Sequence, residues 1–325
     1  MKSVLIYAAG LILSIVAMFV VMPHFIAYLK KKNINQVTSE YALEEFKQKE
    51  KTPIMGGLLF VVLPIIVFAV LDFTGLADKR TQFVLLSYIL YCSVGFIDDS
   101  LVIRSHSNEG LSPKTRLIME FAYTAFLFFV YRDIIPCQVA LPFVHQTINL
   151  PWLVFLPFMI LLYMAEANAV NFTDGMDGLC AGVSFIALLP FVVLCARLGF
   201  DHIVLLLVCI LGGLIGYLRF NFHPAKIFMG DSGSLALGAL FASLGILSDC
   251  TIALFFIGGV FVIEMFCVVV QQVSVRLFHK RVFSYTPIHY AFVIKGYKEK
   301  TIVLGFYLLQ AVFSILGLLI GLATL

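Results

Sequence analysis

Apolar and polar stretches alternate along the whole chain, with apolar runs near 4–29, 54–71, 82–97, 117–131, 152–170, 179–196, 203–218, 232–247, 251–275 and 301–323. A membrane-spanning helix needs about 20 mostly apolar residues. The pattern therefore predicts an all-α polytopic membrane protein of about ten transmembrane helices, in one integral-membrane domain covering 1–325. The first run is longer than a signal-peptide core and passes into Lys30, Lys31 and Lys32 without a small-residue cleavage site, so it reads as a retained span. The stretch 133–150 reads as a small interfacial element.

Composition narrows the class further. Hydrophobic residues make up 61% of the chain and charged ones 13%, and the mean hydropathy is +1.02, far outside the range of soluble domains. A net charge of +3 is too small to imply a nucleic-acid partner. The seven cysteines form no Cys-x-x-Cys pair and fall mostly inside apolar runs, where a thiol packs as a small hydrophobe, so neither a disulfide framework nor a zinc site is expected.

The basic residues set an orientation. Counted over alternate loops of a ten-span topology, Lys and Arg divide 17 against 5, and the richer set is cytoplasmic. Both termini then face the other side. On the cytoplasmic side lie the loop carboxylates with glycine neighbours: Asp98 and Asp99 in GFIDDS, Asp174 and Asp177 in NFTDGMDG, and Asp231 in FMGDSGS. One such Asp is ordinarily a cap or turn residue. Three such loops on one face point to a site.

Several carboxylates close together call for a cation, and Mg2+ suits oxygen ligands that it shares with a substrate phosphate. Neighbours on a helix point about 100° apart, so Asp98 and Asp99 can serve different roles. Asp174 and Asp177 share a face if helical, and Gly175 and Gly178 permit close approach of backbone to ligand. The small residues after Gly230 predict free N–H groups at a helix start, able to face a diphosphate. Lys47, Lys49, Lys51, Lys114, Arg116 and Lys226 are basic candidates for phosphate contact on the same side. His289 is a candidate general acid or ligand. Glu264, inside the ninth run, requires a partner or a cavity.

Taken in order, the strings Thr52-Pro53-Ile54-Met55-Gly56-Gly57, Gly95-Phe96-Ile97-Asp98-Asp99, Asn108-Glu109-Gly110-Leu111 with Lys114, Asn168 to Leu179 (NAVNFTDGMDGL), Asn221 with FMGDSGSLALG, Gln271, and Pro287-Ile288-His289 with Lys295-Gly296 resemble the polyprenyl-phosphate N-acetylhexosamine-1-phosphate transferase superfamily. The TPxMGG and PIH strings favour its muramoyl-pentapeptide branch. The resemblance spans nearly the whole chain.

It implies ten spans, a cytoplasmic-face active site in a bacterial plasma membrane, and a Mg2+-dependent reaction. That reaction moves phospho-MurNAc-pentapeptide from UDP-MurNAc-pentapeptide to undecaprenyl phosphate, releasing UMP and forming the first lipid intermediate of peptidoglycan. Asp231 is implied as main metal ligand, with Asp98 and Asp99 as further candidates, and Asp98 as base or nucleophile, a choice the sequence leaves open. Asn171, Asp174, Gly175 and Asp177 are implied to line the nucleotide site, Phe228 to stack on uracil, and Asn221 to support the metal or diphosphate region. Lys114 and Gln271 are implied to face the nucleotide-sugar, and Lys47 or Lys49, with Thr52, to stand at the start of the TPxMGG string. A homodimer is a further expectation of the resemblance.

The chain departs from the family pattern at His289-Tyr290-Ala291, where three histidines are usual, at Val102, where a Lys is usual, and at Ile54 and Lys51. Two other readings compete. An N-acetylglucosamine-1-phosphate transferase of the same superfamily would fit the altered histidine run. A transporter or flippase would place acids at span centres and show repeat symmetry, but here Glu264 is the main mid-span candidate and the other notable acids lie in one-sided loops.

Overall fold

The computed structural model describes residues 2–35, 49, 51–105, 110–144 and 146–325. Among them are twelve α-helices, all but α11 on the apolar runs: α1 (Lys2–Lys31), α2 (Gly57–Leu71), α3 (Lys79–Ser105) and α4 (Pro113–Val130); α5 (Trp152–Thr173), α6 (Leu179–Arg197), α7 (Asp201–Asn221) and α8 (Asp231–Leu247); then α9 (Thr251–Ile257), α10 (Gly259–Phe278), α11 (Ile288–Ile294) and α12 (Glu299–Thr324). The stretch 133–150 holds an antiparallel hairpin, β1 (Gln138–Leu141) paired with β2 (Gln146–Asn149).

Seven of these helices, α1, α3, α5, α6, α7, α10 and α12, are long and apolar enough to cross a membrane, while α2 and α8 are apolar but shorter. The chain is a multi-pass membrane protein, with seven helices of spanning length and composition and two shorter apolar ones among the described residues. The ninth apolar run is two helices, α9 and α10, divided at Gly258. The interruption is stapled by Gln310 of α12, which donates to Ile257 O at 2.6 Å and accepts from Val260 N at 3.3 Å. That satisfies backbone groups that lipid could not.

The α8 helix is the central column: every residue from Ser232 to Leu247 is buried. Its small residues let neighbouring backbones approach closely, the packing mode favoured where lipid supplies no hydrophobic drive between helices. A Cβ on Gly238 would stand 2.4 Å from Ala167 Cα of α5, and one on Gly95 of α3 would stand 2.1 Å from the Asp231 carbonyl carbon. These contacts bring the first residue of α8 against the acidic end of α3 and the polar end of α5. On the periphery, Val4, Leu5, Ile12 and Val20 of α1 remain exposed, as a lipid-facing surface requires.

Candidate active site

The start of α8 organises the site. Asp99 is buried, and its two carboxylate oxygens accept the backbone N–H groups of Asp231 at 3.0 Å and Ser232 at 3.1 Å. The next two N–H groups, of Gly233 and Ser234, both go to Gly230 O at 3.2 Å. The sequence suggested free donors here for a diphosphate. Instead Asp99, from another helix, supplies the cap that Gly230 cannot, and the helix start is closed to an anion. Asp99 thus holds the start of α8, a structural part that the sequence did not show beside the role expected of it.

Asp98 is differently placed. It is half-buried, its Oδ1 accepts from Leu111 N at 2.8 Å, and the Gly110 backbone packs against the other oxygen so closely that a Cβ there would lie 2.4 Å away. One oxygen is held and the other has no hydrogen bond among the described residues.

Asp231 accepts from Arg116 Nη1 at 2.9 Å and from Asn171 Nδ2 at 2.8 Å. Asn171 also donates to Ser234 Oγ at 3.0 Å, fixing α5 to α8. Arg116 joins Asp231 to the buried Glu120, one helical turn along α4, at 3.3 Å from its Nε. Asn168 closes the far side of Glu120 at 3.2 Å. Asp174, which ends α5, is shaped by the same charges: burial, then the negative charge of Asp231 and more weakly that of Asp177, push its carboxyl up to about 7, against the effect of a bond from the Gly230 backbone.

The TPIMGG and FMGD strings are laced together through backbone. Phe228 N donates to Pro53 O at 2.8 Å, Gly56 N to Phe228 O at 2.8 Å and Gly57 N to Met229 O at 2.9 Å. Gly57 and Gly233 meet so closely that a Cβ on the first would fall 2.4 Å from the Cα of the second. Neither position admits a side chain. The Phe228 ring is left half-buried beside this seam.

A cavity of about 800 Å3 opens on the same side, with Lys49, Thr52, Asp177, His223, Lys298 and Glu299 among its lining residues. Lys49 Nζ lies 2.5 Å from Asp177 Oδ1 and 2.8 Å from Glu299 Oε1, and His223 Nδ1 lies 3.0 Å from Asp177 Oδ2. One ligand atom from each of Asp177, His223 and Glu299 falls within 4.8 Å of the others. This triad contains an imidazole and is already bridged by an ammonium. Mg2+ prefers all-oxygen ligands, so the imidazole counts against that ion in this triad, which is the one group of its kind among the described residues.

The remaining sequence candidates divide. Asn221 is buried, accepting from Gly178 N at 3.0 Å and donating to Ile227 O at 2.9 Å, so both ends of its amide hold the loops that carry Asp177 and Phe228. Gln271 likewise accepts from Val282 N and Phe283 N, each at 3.0 Å, and shapes the segment after α10. Asn221 was expected to support the metal or diphosphate region and Gln271 to face the nucleotide-sugar; here the amides of both hold loop backbone. Lys114 is exposed on the first turn of α4. Lys47 lies outside the described residues, as do Asn108 and Glu109 of the third string. His289 is fully buried beneath Gly175, and its partner is Glu264, at 3.0 Å.

Four features of the candidate site escaped the sequence reading: the Arg116 to Asp231 contact, Glu120, His223 and Glu299. Only the first two carried a signal, the four-residue spacing of Arg116 and Glu120 on one helix face. The others depend on contacts between segments far apart in sequence.

Residues 81–249 match the model of the glycosyl transferase family 4. The chain is 38% identical over 96% of its length and 96% of theirs to the phospho-N-acetylmuramoyl-pentapeptide-transferase of Shouchella clausii (strain KSM-K16). It is 35% identical to that of Thermoanaerobacter sp. (strain X514), over 89% of this chain and 90% of the relative, and 32% identical to that of Staphylococcus carnosus (strain TM300), over 98% and 99%. With more than half the chain matched by the family model and near-complete alignment to these relatives, the chain belongs to glycosyl transferase family 4, among its phospho-N-acetylmuramoyl-pentapeptide-transferases.

Proposed function

We propose that the protein transfers phospho-MurNAc-pentapeptide from UDP-MurNAc-pentapeptide to undecaprenyl phosphate, releasing UMP, at the cytoplasmic face of a bacterial plasma membrane. The observation that carries this reading is the junction of α3, α5 and α8, where Asp98, Asn171, Asp174 and Asp231 come together, with Asp177, three residues on, lining an 800 Å3 cavity, in a chain aligned end to end with relatives of that name. The 17 to 5 division of basic residues supports the orientation, with both termini outside.

Phosphoryl transfer asks a protein mainly for positioning and charge neutralisation. Carboxylate oxygens such as those of Asp231, the ligand the resemblance implies, suit a Mg2+ ion, which would polarise the diphosphate and stabilise the departing UMP. Arg116 holds Asp231 in place and adds a positive charge at the diphosphate. Asp98, with one oxygen left to a ligand, meets the lipid phosphate as base or as nucleophile. Lys49, Thr52 and Asp177 line the nucleotide cavity, and Phe228 offers a ring to uracil.

The test is UMP release by purified protein in detergent with undecaprenyl phosphate and Mg2+, comparing UDP-MurNAc-pentapeptide with UDP-N-acetylglucosamine. Turnover of the first alone is expected. Turnover of the second alone would move the protein to the other branch of the superfamily, and turnover of neither would contradict the proposal.

A further inference from the structure

Glu264 and His289 are both fully buried, and Glu264 accepts twice from one segment: Ile288 N at 2.8 Å on Oε2 and His289 Nδ1 at 3.0 Å on Oε1. A carboxylate on Nδ1 requires a proton on that nitrogen, so the imidazole is fixed in one orientation and its exchangeable end is Nε2. Nε2 is buried with no hydrogen-bond partner among the described residues. Buried polar atoms are rarely left so. The atom points at the turn after Asp174: a Cβ on Gly175 would lie 2.2 Å from Nε2. Tyr290, at the position of a usual family histidine, donates its hydroxyl to Gly175 O at 2.9 Å and holds that turn against the ring.

We infer that Glu264 is a positioning residue for the transfer reaction, setting the tautomer and direction of His289 so that Nε2 is the working nitrogen at the Asp174-Gly175 turn, an acceptor for a hydroxyl donor of the nucleotide-sugar. This rests on the function proposed above. Glu264 touches no substrate and acts through the ring alone.

The test uses full-length protein in detergent and reads UMP release across pH, with thermal unfolding as a check of folding. Turnover by the unmodified protein is the first requirement, and its absence would defeat the proposed function before the inference is reached. Glu264→Gln places an amide donor against Nδ1 and reverses the tautomer. It should lower kcat at least tenfold, change KM less than threefold and alter the pH profile. His289→Asn keeps a donor for Glu264 but deletes the Nε2 end, and should lose at least a hundredfold while unfolding at the wild-type temperature. Because Glu264 acts only through His289, the double variant should be no slower than His289→Asn alone. Near-wild-type turnover by His289→Asn, or a double variant slowed by the product of the two single effects, would overturn the inference. Should Glu264→Gln fail to fold, Glu264→Asp replaces it: the shorter side chain should lower kcat several-fold with the wild-type pH profile, and unchanged kcat would count against the inference.

Discussion

Asp99 caps the helix that Asp231 begins: the Asp99 carboxylate accepts the N–H groups of Asp231 and Ser232 at 3.0 and 3.1 Å. Of two adjacent acids on α3, one thereby caps α8 and the other, Asp98, keeps one carboxylate oxygen without a hydrogen bond among the described residues. Asp99→Asn puts an amide donor where an acceptor is needed and should displace Asp231. Loss of a side-chain cap costs about 0.5–2 kcal/mol, so a lower thermal midpoint in detergent is expected together with loss of turnover. Asp98→Asn should lose turnover with an unchanged midpoint. Equal midpoints for the two variants would contradict this division.

Arg116 bridges Asp231 and Glu120, whose side chain is fully buried. Removing one partner from a buried ion pair costs about 3–5 kcal/mol, because the other charge is left uncompensated. Arg116→Met should therefore unfold at a markedly lower temperature. Adding Glu120→Gln should restore most of the stability but not the activity, since Asp231 still lacks its guanidinium. Scanning fluorimetry of the single and double variants separates the two effects.

Of the fold, the helices were legible because apolar runs of spanning length have one physical use. The break at Gly258 was not, because α9 and α10 are equally apolar and the interruption is stabilised by Gln310, more than fifty residues away. Of the site, the acids were legible as glycine-flanked loop carboxylates on one face. Their division of labour was not: nothing in Asp98-Asp99 tells which one turns toward the backbone of α8. Glu264 announced itself as a charge in an apolar run, but its partner lies 25 residues on, in a different element. Asn221 and Gln271 carried a family resemblance, yet their amides are spent on loop backbone, which only the coordinates of those loops reveal.

Close helix approach gives a contrast between two glycines. Gly95→Ala would place a methyl group 2.1 Å from the Asp231 carbonyl carbon, backbone that cannot yield without separating α3 from α8. Turnover should be lost and the thermal midpoint should fall. Gly305, inside α12, has nothing within 4 Å of such a methyl, and Gly305→Ala should leave activity intact and stabilise by up to about 1 kcal/mol through helix propensity. A measurable loss of activity in Gly305→Ala would count against this packing.

Crowding of carboxylates should appear as a pH dependence of stability. Burial and the charge of Asp231 raise the Asp174 carboxyl from an ordinary 3.8 to about 7. Between these values the folded protein holds a proton that the unfolded chain has released, so stability falls as pH rises across this window and levels off above it. In EDTA, the thermal midpoint should decline from about pH 4.5 to 7, and Asp174→Asn should flatten that decline. An unchanged slope in the variant would remove Asp174 as its source.

The most direct measurement is UMP release from UDP-MurNAc-pentapeptide, with undecaprenyl phosphate and Mg2+, by the unmodified protein, Asp231→Asn and Asp98→Asn purified side by side. Turnover by the first and loss of turnover in both variants, each folded, is the expected result. Near-wild-type turnover by either variant would contradict the placing of the reaction at the junction of α3 and α8.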